Sequence, residues 1–333
     1  MNRMKKILLS ILLSVISAIL IFPVHSKHSE ASLSFVVLSA YSKTLKIGDE
    51  FYLAAVASNG KLPKWTSSSS RIASVNSYGK VTAKKEGTAT ITAKVNNGEA
   101  SCKVTVKKTE VKISKASISI ERGESFALSA TTSNQSPVVW KSSHKSIASI
   151  DENGLITGLK PGTSTITASA DGTNTTCIVT VKYPAVTMNR KTVTMYRGRS
   201  IKLKANVSSG IQPVWKSNKK SVVTVNPDGT ITAIKNGTAT ITATVDRVSA
   251  TCEIIVKKPD ITLSSSELTV KTGREASLHA QVSSGNYPEW STSNPNVAAV
   301  DSRGKITGIK KGQAYIYAQE DGTKVKCTVY VTD

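Results

Sequence analysis

The sequence predicts an all-β fold of four tandem β-sandwich domains that together form an elongated rod. Sequence markers recur with a period of 75 residues through about 300 of the 333 residues, which identifies an internal repeat. Within each repeat, apolar and polar residues alternate with period two, as expected for strands buried on one face. Outside the first residues, no stretch has the 3.6-residue periodicity of an amphipathic helix.

Five sets of markers keep the 75-residue step, and two of them are the glycine sets Gly48, Gly123, Gly198, Gly273 and Gly79, Gly154, Gly229, Gly304. The heptapeptide GTATITA begins at Gly87 and again at Gly237, and variants of it begin at Gly162 and Gly312. Every tryptophan and every cysteine falls on the same step: Trp65, Trp140, Trp215, Trp290, Cys102, Cys177, Cys252 and Cys327. A repeat of this length is long enough to bury a small core of its own. We therefore expect separate domains at residues 33–108, 109–183, 184–258 and 259–333, joined without Gly/Ser-rich linkers.

Residues 1–26 have the pattern of a secretory signal peptide. Basic residues precede an apolar run from Ile7 to Phe22, and Val24 and Ser26 are small enough for a cleavage site. The alternative is an uncleaved membrane anchor, but the run is shorter than the roughly 20 residues of a spanning helix. We expect an exported, extracellular protein that is associated with the cell surface and has no membrane span in its mature chain.

The strand pattern is clearest in the third repeat. From Thr238 to Val245, alanine, isoleucine and valine alternate with threonine, which gives a strand with a Thr-rich outer face. Ser200–Val207 reads as another alternating strand, and Val225–Ile234 reads as a hairpin. The turn glycine of that hairpin, Gly229, stands where a positive φ is required. About seven short strands per repeat are typical of a β-sandwich.

The cysteines and tryptophans are predicted to be structural core residues. Cys252 shares a strand face with Ile254 and Val256, and the other three cysteines have apolar neighbours at the same spacing. One cysteine per domain excludes a bridge within a domain, and equivalent positions in neighbouring domains lie beyond the roughly 7 Å Cα separation that a disulfide spans. We expect four buried free thiols; the alternative is a metal site or a nucleophile, but the sequence assembles neither a zinc site nor a Cys–His pair. The indoles fill the space between the sheets, the alternative being sugar binding.

At this point the sequence resembles a known family. Each repeat contains a tryptophan with a Ser-rich turn, such as WKSSHKSIASI, then a glycine hairpin, a GTATITA-like strand and a C-x-V-x-V strand. This combination resembles the bacterial immunoglobulin-like domain, group 2, over all four repeats. The resemblance implies an Ig-like β-sandwich of the kind found in surface proteins such as intimin and invasin-type adhesins, in spacer modules of secreted enzymes and in phage structural proteins. It implies no catalytic residues.

Positive charge is concentrated in two of the four domains. The net charge is +22, and the domains carry +8, +1, +10 and 0 in order. Cationic surfaces attract anionic polymers, so we expect anionic envelope polymers, glycans or a surface protein as partners. Nucleic acid is not expected for an exported chain. The alternative is a solvated surface that aids solubility. In domain 3 the predicted binding residues are Arg197, Arg199, Lys202, Lys204, Lys216, Lys219 and Lys220.

Domain 4 departs from the Thr-rich outer face. Tyr315 and Tyr317 stand where domains 1 and 3 have threonine, and Tyr330 faces outward on the next strand. Three tyrosines on one face could stack on a sugar ring or dock a protein. The alternative is that tyrosine pairs well across strands.

Nothing in the sequence indicates an enzyme, a cofactor or a metal. The acidic turns DENG and NPDG are much shorter than a twelve-residue calcium loop and fit turn chemistry. There is no nucleophile elbow, phosphate loop or HExxH motif. We expect a monomeric binding or adhesion rod; the alternative is a purely structural spacer or an accessory subunit for a separate partner.

Overall fold

The computed structural model describes residues 34–333. The predicted signal peptide at residues 1–26 lies outside them. The described chain consists of strands joined by turns and contains no helix, so no helix in this part of the chain could cross a membrane. Contacts divide it into two compact units. One unit contains residues 34–111, Thr132–Pro137 and Ala170–Thr173; the other contains Lys112–Thr131, Val138–Ser169 and Asn174–Asp333.

Each repeat contributes nine strands in the same order. Domain 1 contains β1 (Val36–Leu38), β2 (Ser42–Lys46), β3 (Glu50–Tyr52), β4 (Ala55–Ala57), β5 (Lys64–Ser67), β6 (Ala73–Val75), β7 (Lys80–Ala83), β8 (Gly87–Val95) and β9 (Gly98–Lys107). Domain 2 contains β10 (Val111–Ile113), β11 (Ser117–Ile120), β12 (Ser125–Ala127), β13 (Ala130–Thr132), β14 (Val139–Ser142), β15 (Ala148–Ile150), β16 (Leu155–Gly158), β17 (Gly162–Ala170) and β18 (Thr173–Val181). Domain 3 contains β19 (Val186–Met188), β20 (Thr192–Met195), β21 (Ser200–Lys202), β22 (Ala205–Val207), β23 (Val214–Ser217), β24 (Val223–Val225), β25 (Thr230–Ala233), β26 (Gly237–Val245) and β27 (Val248–Val256). Domain 4 contains β28 (Ile261–Leu263), β29 (Glu267–Lys271), β30 (Glu275–Ser277), β31 (Ala280–Val282), β32 (Glu289–Thr292), β33 (Ala298–Val300), β34 (Lys305–Gly308), β35 (Gly312–Glu320) and β36 (Thr323–Thr332).

The strands of each domain form a sandwich of two main sheets. In domain 3 the larger sheet has the order β20–β27–β26–β23 and the smaller sheet has the order β21–β25–β24. Strand β20 runs parallel to β27, whereas the other pairs in both sheets are antiparallel. The equivalent strands of the other three domains pair in the same orders.

The inner faces of the two sheets form the core of each domain. Along β26 the alternating side chains of Ala239, Ile241, Ala243 and Val245 are buried, as the alternation predicts. With Ile231 of the smaller sheet they leave almost no side-chain surface in water. Burial of each isoleucine contributes roughly 1.5–3 kcal/mol, so the apolar face of this alternation fixes which way the strand lies.

The structure has nine strands per domain where roughly seven were predicted, and one of the additional strands arises because a predicted strand is broken. Ser200–Val207 forms β21 and then β22, which belong to different sheets. Between them the backbone N–H of Leu203 donates to the carbonyl of Gly229 at 3.0 Å. The N–H of Lys204 donates to Oδ1 of Asn189 at 2.9 Å. These bonds replace ladder bonds and let the chain change sheets while Leu203 stays buried.

The hairpin glycine and the tryptophan of each domain pack against each other. Gly229, between β24 and β25, has a φ of 85°, a conformation that glycine adopts without strain. A Cβ atom there would lie 2.9 Å from Cζ2 of Trp215 and 2.7 Å from the carbonyl oxygen of Leu203. Trp215, on β23, is half-buried against the core. The glycine and the tryptophan recur together because any side chain at the glycine position would collide with the indole.

The four cysteines lie in the cores with no exposed surface. Cys102, Cys177, Cys252 and Cys327 are all free thiols. Burial raises the pKa of the Cys252 thiol, and the pKa of each of the other three is raised for the same reason. A buried protonated thiol is a poor nucleophile and packs as a small apolar group.

Within the first unit, the loop after β13 of domain 2 contacts a turn of domain 1, and the last hairpin tip of domain 2 supports that loop. The side-chain amide of Asn134 donates to the carbonyl of Ile47 at 3.0 Å and to Asp171 at 2.8 Å. The hydroxyl of Thr109 donates to Asp171 at 2.8 Å. Asp171 stands at the tip between β17 and β18, so this tip is held by polar contacts on two sides.

Within the second unit, ion pairs stand at the equivalent places. Nη1 of Arg122 lies 2.7 Å from Oδ1 of Asp246, and Nε of Arg197 lies 2.8 Å from Oε1 of Glu320. The Glu320 side chain is only 1% exposed and also accepts from Asn286 at 3.1 Å. Each arginine occupies the turn before the third strand of its domain, and each acid occupies the last hairpin of the following domain.

Candidate functional site

The outer face of the larger sheet in domain 4 carries an aromatic and cationic surface. Its strands have the order β29–β36–β35–β32. Tyr315 and Tyr317 project from β35, and the β35–β36 register pairs Tyr315 with Thr328 and Tyr317 with Lys326. Tyr330 lies opposite Gln313 and hence diagonal to Tyr315. All three tyrosines therefore lie on one face of one hairpin.

Two lysines lie over the tyrosine rings. Nζ of Lys324 is 3.9 Å from the ring centroid of Tyr317, and Nζ of Lys326 is 4.4 Å from that of Tyr315. The two rings are 6.5 Å apart and tilted by 46°. An ammonium group at this distance is attracted by the negative ring face. We call Tyr315, Tyr317, Lys324, Lys326 and Tyr330 the aromatic–lysine face.

Sequence reasoning identified the three tyrosines and missed the two lysines. Lys324 and Lys326 alternate with buried or half-buried residues on β36, which placed them on the outer face. The twist of the hairpin moves each lysine diagonally onto the ring of a residue that is not its direct partner. That diagonal contact, which alternation alone does not specify, puts cations beside stacking groups.

Three of the seven basic residues predicted as ligand contacts in domain 3 are engaged within the protein. Arg197 pairs with Glu320, and Nη2 of Arg199 donates to the carbonyl of Ser284 at 3.1 Å. Nζ of Lys202 lies 3.2 Å from Asp228 on the neighbouring hairpin. These contacts orient the three cations toward protein oxygens.

The remaining four lysines of the set are exposed. Lys204, Lys216, Lys219 and Lys220 form no ion pair among the described residues. Lys216 lies on β23 in the larger sheet, whereas Lys204 follows β21 in the smaller sheet. Lys216 therefore lies on the edge strand of the larger sheet, and Lys219 and Lys220 lie in the turn that follows it. Lys204 lies apart from these three lysines.

The acidic turns hold backbone groups. Oδ1 of Asp151 accepts from the N–H groups of Asn153 and Leu155 at 3.0 and 2.8 Å. Asp228 accepts from the N–H and the hydroxyl of Thr230 at 3.1 and 2.8 Å. Within residues 34–333, no group of three or more His, Cys, Asp or Glu side chains is arranged to hold a metal ion.

The fold and its repeat define a protein built from tandem immunoglobulin-type sandwiches. The family model for the bacterial Ig-like domain (group 2) matches residues 35–106, 108–181, 182–256 and 259–329. The chain therefore belongs to this family, with four copies of the domain.

Comparison with relatives and solved structures gives partial matches. The chain is 25% identical over 348 aligned residues to ice-binding protein 1 of Shewanella frigidimarina, covering 91% of this chain and 39% of that protein. It is 33% identical over 213 residues to an uncharacterized protein of Clostridium acetobutylicum, covering 56% and 21%. The I9–I11 tandem of titin matches with a TM-score of 0.38 and 13% identity, covering 67% of this chain and 99% of that one. The chain thus spans well under half the length of both relatives.

Proposed function

We propose that this protein is an exported, surface-associated repeat protein that binds anionic polymers or glycans of an envelope or a host surface and catalyses no reaction. The observation that carries the proposal is the uneven charge: domains 1 and 3 carry +8 and +10, whereas domains 2 and 4 carry +1 and 0. A merely soluble surface does not require charge to be confined to alternate domains. A localised cationic surface attracts polyanions through long-range steering and counterion release.

Two surfaces support binding in different ways. In domain 3, Lys216, Lys219 and Lys220 are exposed cations at one sheet edge. In domain 4, the aromatic–lysine face combines rings that stack on sugars with ammonium groups that pair with acidic substituents. The first surface suits charge-driven retention and the second suits contact with a sugar ring.

Retention on purified cell walls tests the domain 3 surface. We expect the full chain to bind walls at low salt and to elute as salt rises. Lys216→Gln, Lys219→Gln and Lys220→Gln together should lower the salt concentration of elution. The matched control changes three exposed lysines elsewhere in the chain, Lys145→Gln, Lys160→Gln and Lys310→Gln, and should elute near the parent. Equal elution of all three proteins would contradict a role for this edge.

A glycan array tests the aromatic–lysine face. Tyr315→Ala with Tyr317→Ala should weaken binding to any glycan that the parent retains by roughly 5- to 150-fold, because two stacked rings at about 0.5–1.5 kcal/mol each contribute about 1–3 kcal/mol. Tyr287→Ala is the control, since Tyr287 is 93% exposed but lies in a loop away from this face. Unchanged binding by the double variant would remove the tyrosines from the proposal.

A structural spacer is the second candidate. The ion pairs Arg122–Asp246 and Arg197–Glu320 hold successive domains of the second unit in contact, as a spacing element requires. A chain that binds no wall, glycan or vesicle preparation, yet co-purifies with a separate surface protein, would favour this role.

A further inference from the structure

We infer that one end of domain 1 carries a binding groove for a phosphodiester-linked wall polymer of the teichoic-acid type. This inference rests on the proposed function and assigns a site and a ligand chemistry to it. The groove has a volume of about 660 Å³ and lies between the loop before β5 and the hairpin tip joining β8 to β9. Its lining residues are Lys61, Leu62, Lys64, Thr66, Lys94, Val95, Asn96 and Asn97.

The described lining residues are cationic or neutral, with no acid among them. Lys61, Lys64 and Lys94 supply three ammonium groups, and Asn96 and Asn97 supply side-chain amides. The one nearby carboxylate in the described ion pairs, Glu99, lies 3.6 Å from Lys94 with both side chains more than half exposed. Such an exposed pair is weak, so Lys94 remains available to an external anion.

This end of domain 1 departs from the same end of the other domains. At the position of Asn96, 75 and 150 and 225 residues on, the chain has Asp171, Asp246 and Asp321. At the positions equivalent to Lys61, Lys64 and Lys94, domains 2 to 4 have no lysine or arginine: Ser136, Val139, Ser169, Ile211, Val214, Thr244, Asn286, Glu289 and Gln319. Compared with domains 2 to 4, domain 1 thus has three additional cations at this corner and lacks the aspartate of the hairpin tip.

In the other domains the equivalent corner contacts the protein itself. Asp171 binds Asn134 and Thr109, Asp246 pairs with Arg122, and Oδ1 of Asp321 accepts from the N–H of Asn236 at 3.0 Å. In the described part of domain 1, the carbonyl of Asn97 at this tip accepts from the N–H of Ser34 at 3.2 Å. The corner that carries an acid in domains 2 to 4 therefore carries lysines in domain 1.

The residue types fit a flexible phosphodiester chain. Lysine binds phosphate as a compact point charge, whereas arginine binds carboxylate or phosphate through a planar bidentate fork. Separate ammonium groups can therefore pair with successive phosphates without a fixed planar geometry. Among residues 34–333, the lining contains three lysines and no arginine. Leu62 is 95% exposed at the groove edge and would contact the carbon skeleton between phosphates. One leucine offers too little apolar area to insert into a bilayer, which favours a polymer over lipid headgroups.

The test measures binding of the full chain to a defined poly(glycerol phosphate). Lys61→Gln, Lys64→Gln and Lys94→Gln together should weaken binding at least about tenfold, because three exposed ion pairs are lost. The matched control, Lys84→Gln, Lys85→Gln and Lys103→Gln, removes the same charge from exposed positions of the same domain and should weaken binding less than about threefold. Asn96→Asp, which copies the other domains, should weaken binding several-fold without disturbing the fold.

Four other results would each contradict a different part of the inference. Equal losses for the groove variant and the control would overturn the groove and leave the proposed attraction to polyanions standing. Polygalacturonate bound as tightly as the phosphodiester polymer would overturn the phosphate assignment, and stronger binding to phosphatidylglycerol vesicles would overturn the polymer. A parent chain that binds none of these would contradict the proposed function itself.

Discussion

At the scale of single residues, Gly229 shows why the repeat keeps its markers together. We expect Gly229→Ala to destabilise domain 3 by about 3 kcal/mol or more, combining left-handed strain with overpacking against Trp215. Gly210→Ala is the control: φ is 69° there, but nothing lies within 4 Å of the added Cβ. That change should cost only about 1 kcal/mol.

Chemical denaturation of the two variants measures the difference. Fluorescence of Trp215 reports domain 3, but the three other tryptophans contribute to the signal, so the comparison uses variants with Trp65, Trp140 and Trp290 changed to Phe. Similar midpoints for the two alanine variants would show that the Trp215 indole moves aside without loss of folding free energy. Packing against the indole would then not explain the glycine.

The buried thiols give a second prediction at this scale. Because none has exposed surface and burial raises each pKa, the native chain should incorporate fewer than one alkyl group at pH 8, and the denatured chain should incorporate all four. A raised folded-state pKa means that this stability is complete below the thiol's unfolded pKa, about 8.5, and is lost as pH rises through the higher folded value.

The melting temperature should therefore fall above about pH 8.5. A variant with all four cysteines changed to alanine should show a smaller fall over the same range. Rapid alkylation of the native chain, or cystines in the purified protein, would contradict buried free thiols.

At the scale of elements, the β24–β25 hairpin is held by an aspartate whose charge matters. Hydrogen bonds from Thr230 and Lys202 lower the pKa of Asp228 to about 2. Because the folded pKa is lowered, this stabilisation is present above the unfolded pKa, about 3.9, and is lost as pH falls toward 2. NMR titration of the Asp228 carboxyl carbon should give a midpoint near this low value.

Removing one partner should shift that midpoint. Thr230→Val deletes the hydroxyl donor and should raise the Asp228 pKa, whereas Thr238→Val changes a threonine on another strand of the same domain and should not. A wild-type midpoint near the usual aspartate value would mean that these bonds do not favour the charged form.

The elements also show what the sequence could and could not predict. Strict alternation was enough to identify β26, and a glycine-containing turn was enough to identify the β24–β25 hairpin. The break between β21 and β22 was not predicted, because Ile201, Leu203, Ala205 and Val207 keep their alternation across it. Only the distant partners Gly229 and Asn189 reveal that the ladder stops there.

The same limit applies to the candidate sites. Outward tyrosines can be read from period two, but the Lys324 and Lys326 ammonium positions depend on sheet twist. Arg197 was read as a ligand contact from local charge, whereas its partner Glu320 is 123 residues away in sequence. Contacts between domains leave no periodic signal within either domain.

At the scale of the whole molecule, the Arg197–Glu320 pair couples domains 3 and 4 within the second unit. Arg197→Ala leaves a carboxylate that is 1% exposed without its cation. Loss of one partner from a buried pair costs about 3–5 kcal/mol; because Arg197 is 42% exposed, we expect about 1–3 kcal/mol after allowance for solvent screening. Calorimetry of the full chain should show that the unfolding transition of domains 3 and 4 occurs at a lower temperature in Arg197→Ala than in the parent.

A double-mutant cycle separates the pair from its surroundings. Adding Glu320→Gln to Arg197→Ala removes the stranded charge and should recover part of the loss. Lys219→Ala, an exposed cation of the same domain, should leave the melting profile within about 0.5 kcal/mol of the parent. No difference between Arg197→Ala and Lys219→Ala would show that the pair contributes nothing to this coupling.

Because each domain contains one buried thiol, the number of alkylated thiols reports how many domains have opened. If a domain is pulled or heated open while its neighbours stay closed, the mass of the alkylated molecule rises by one reagent increment. Intact-mass spectra taken along a force or temperature ramp would then resolve species with zero to four adducts, and peptide mapping would reveal the order in which the four domains yield.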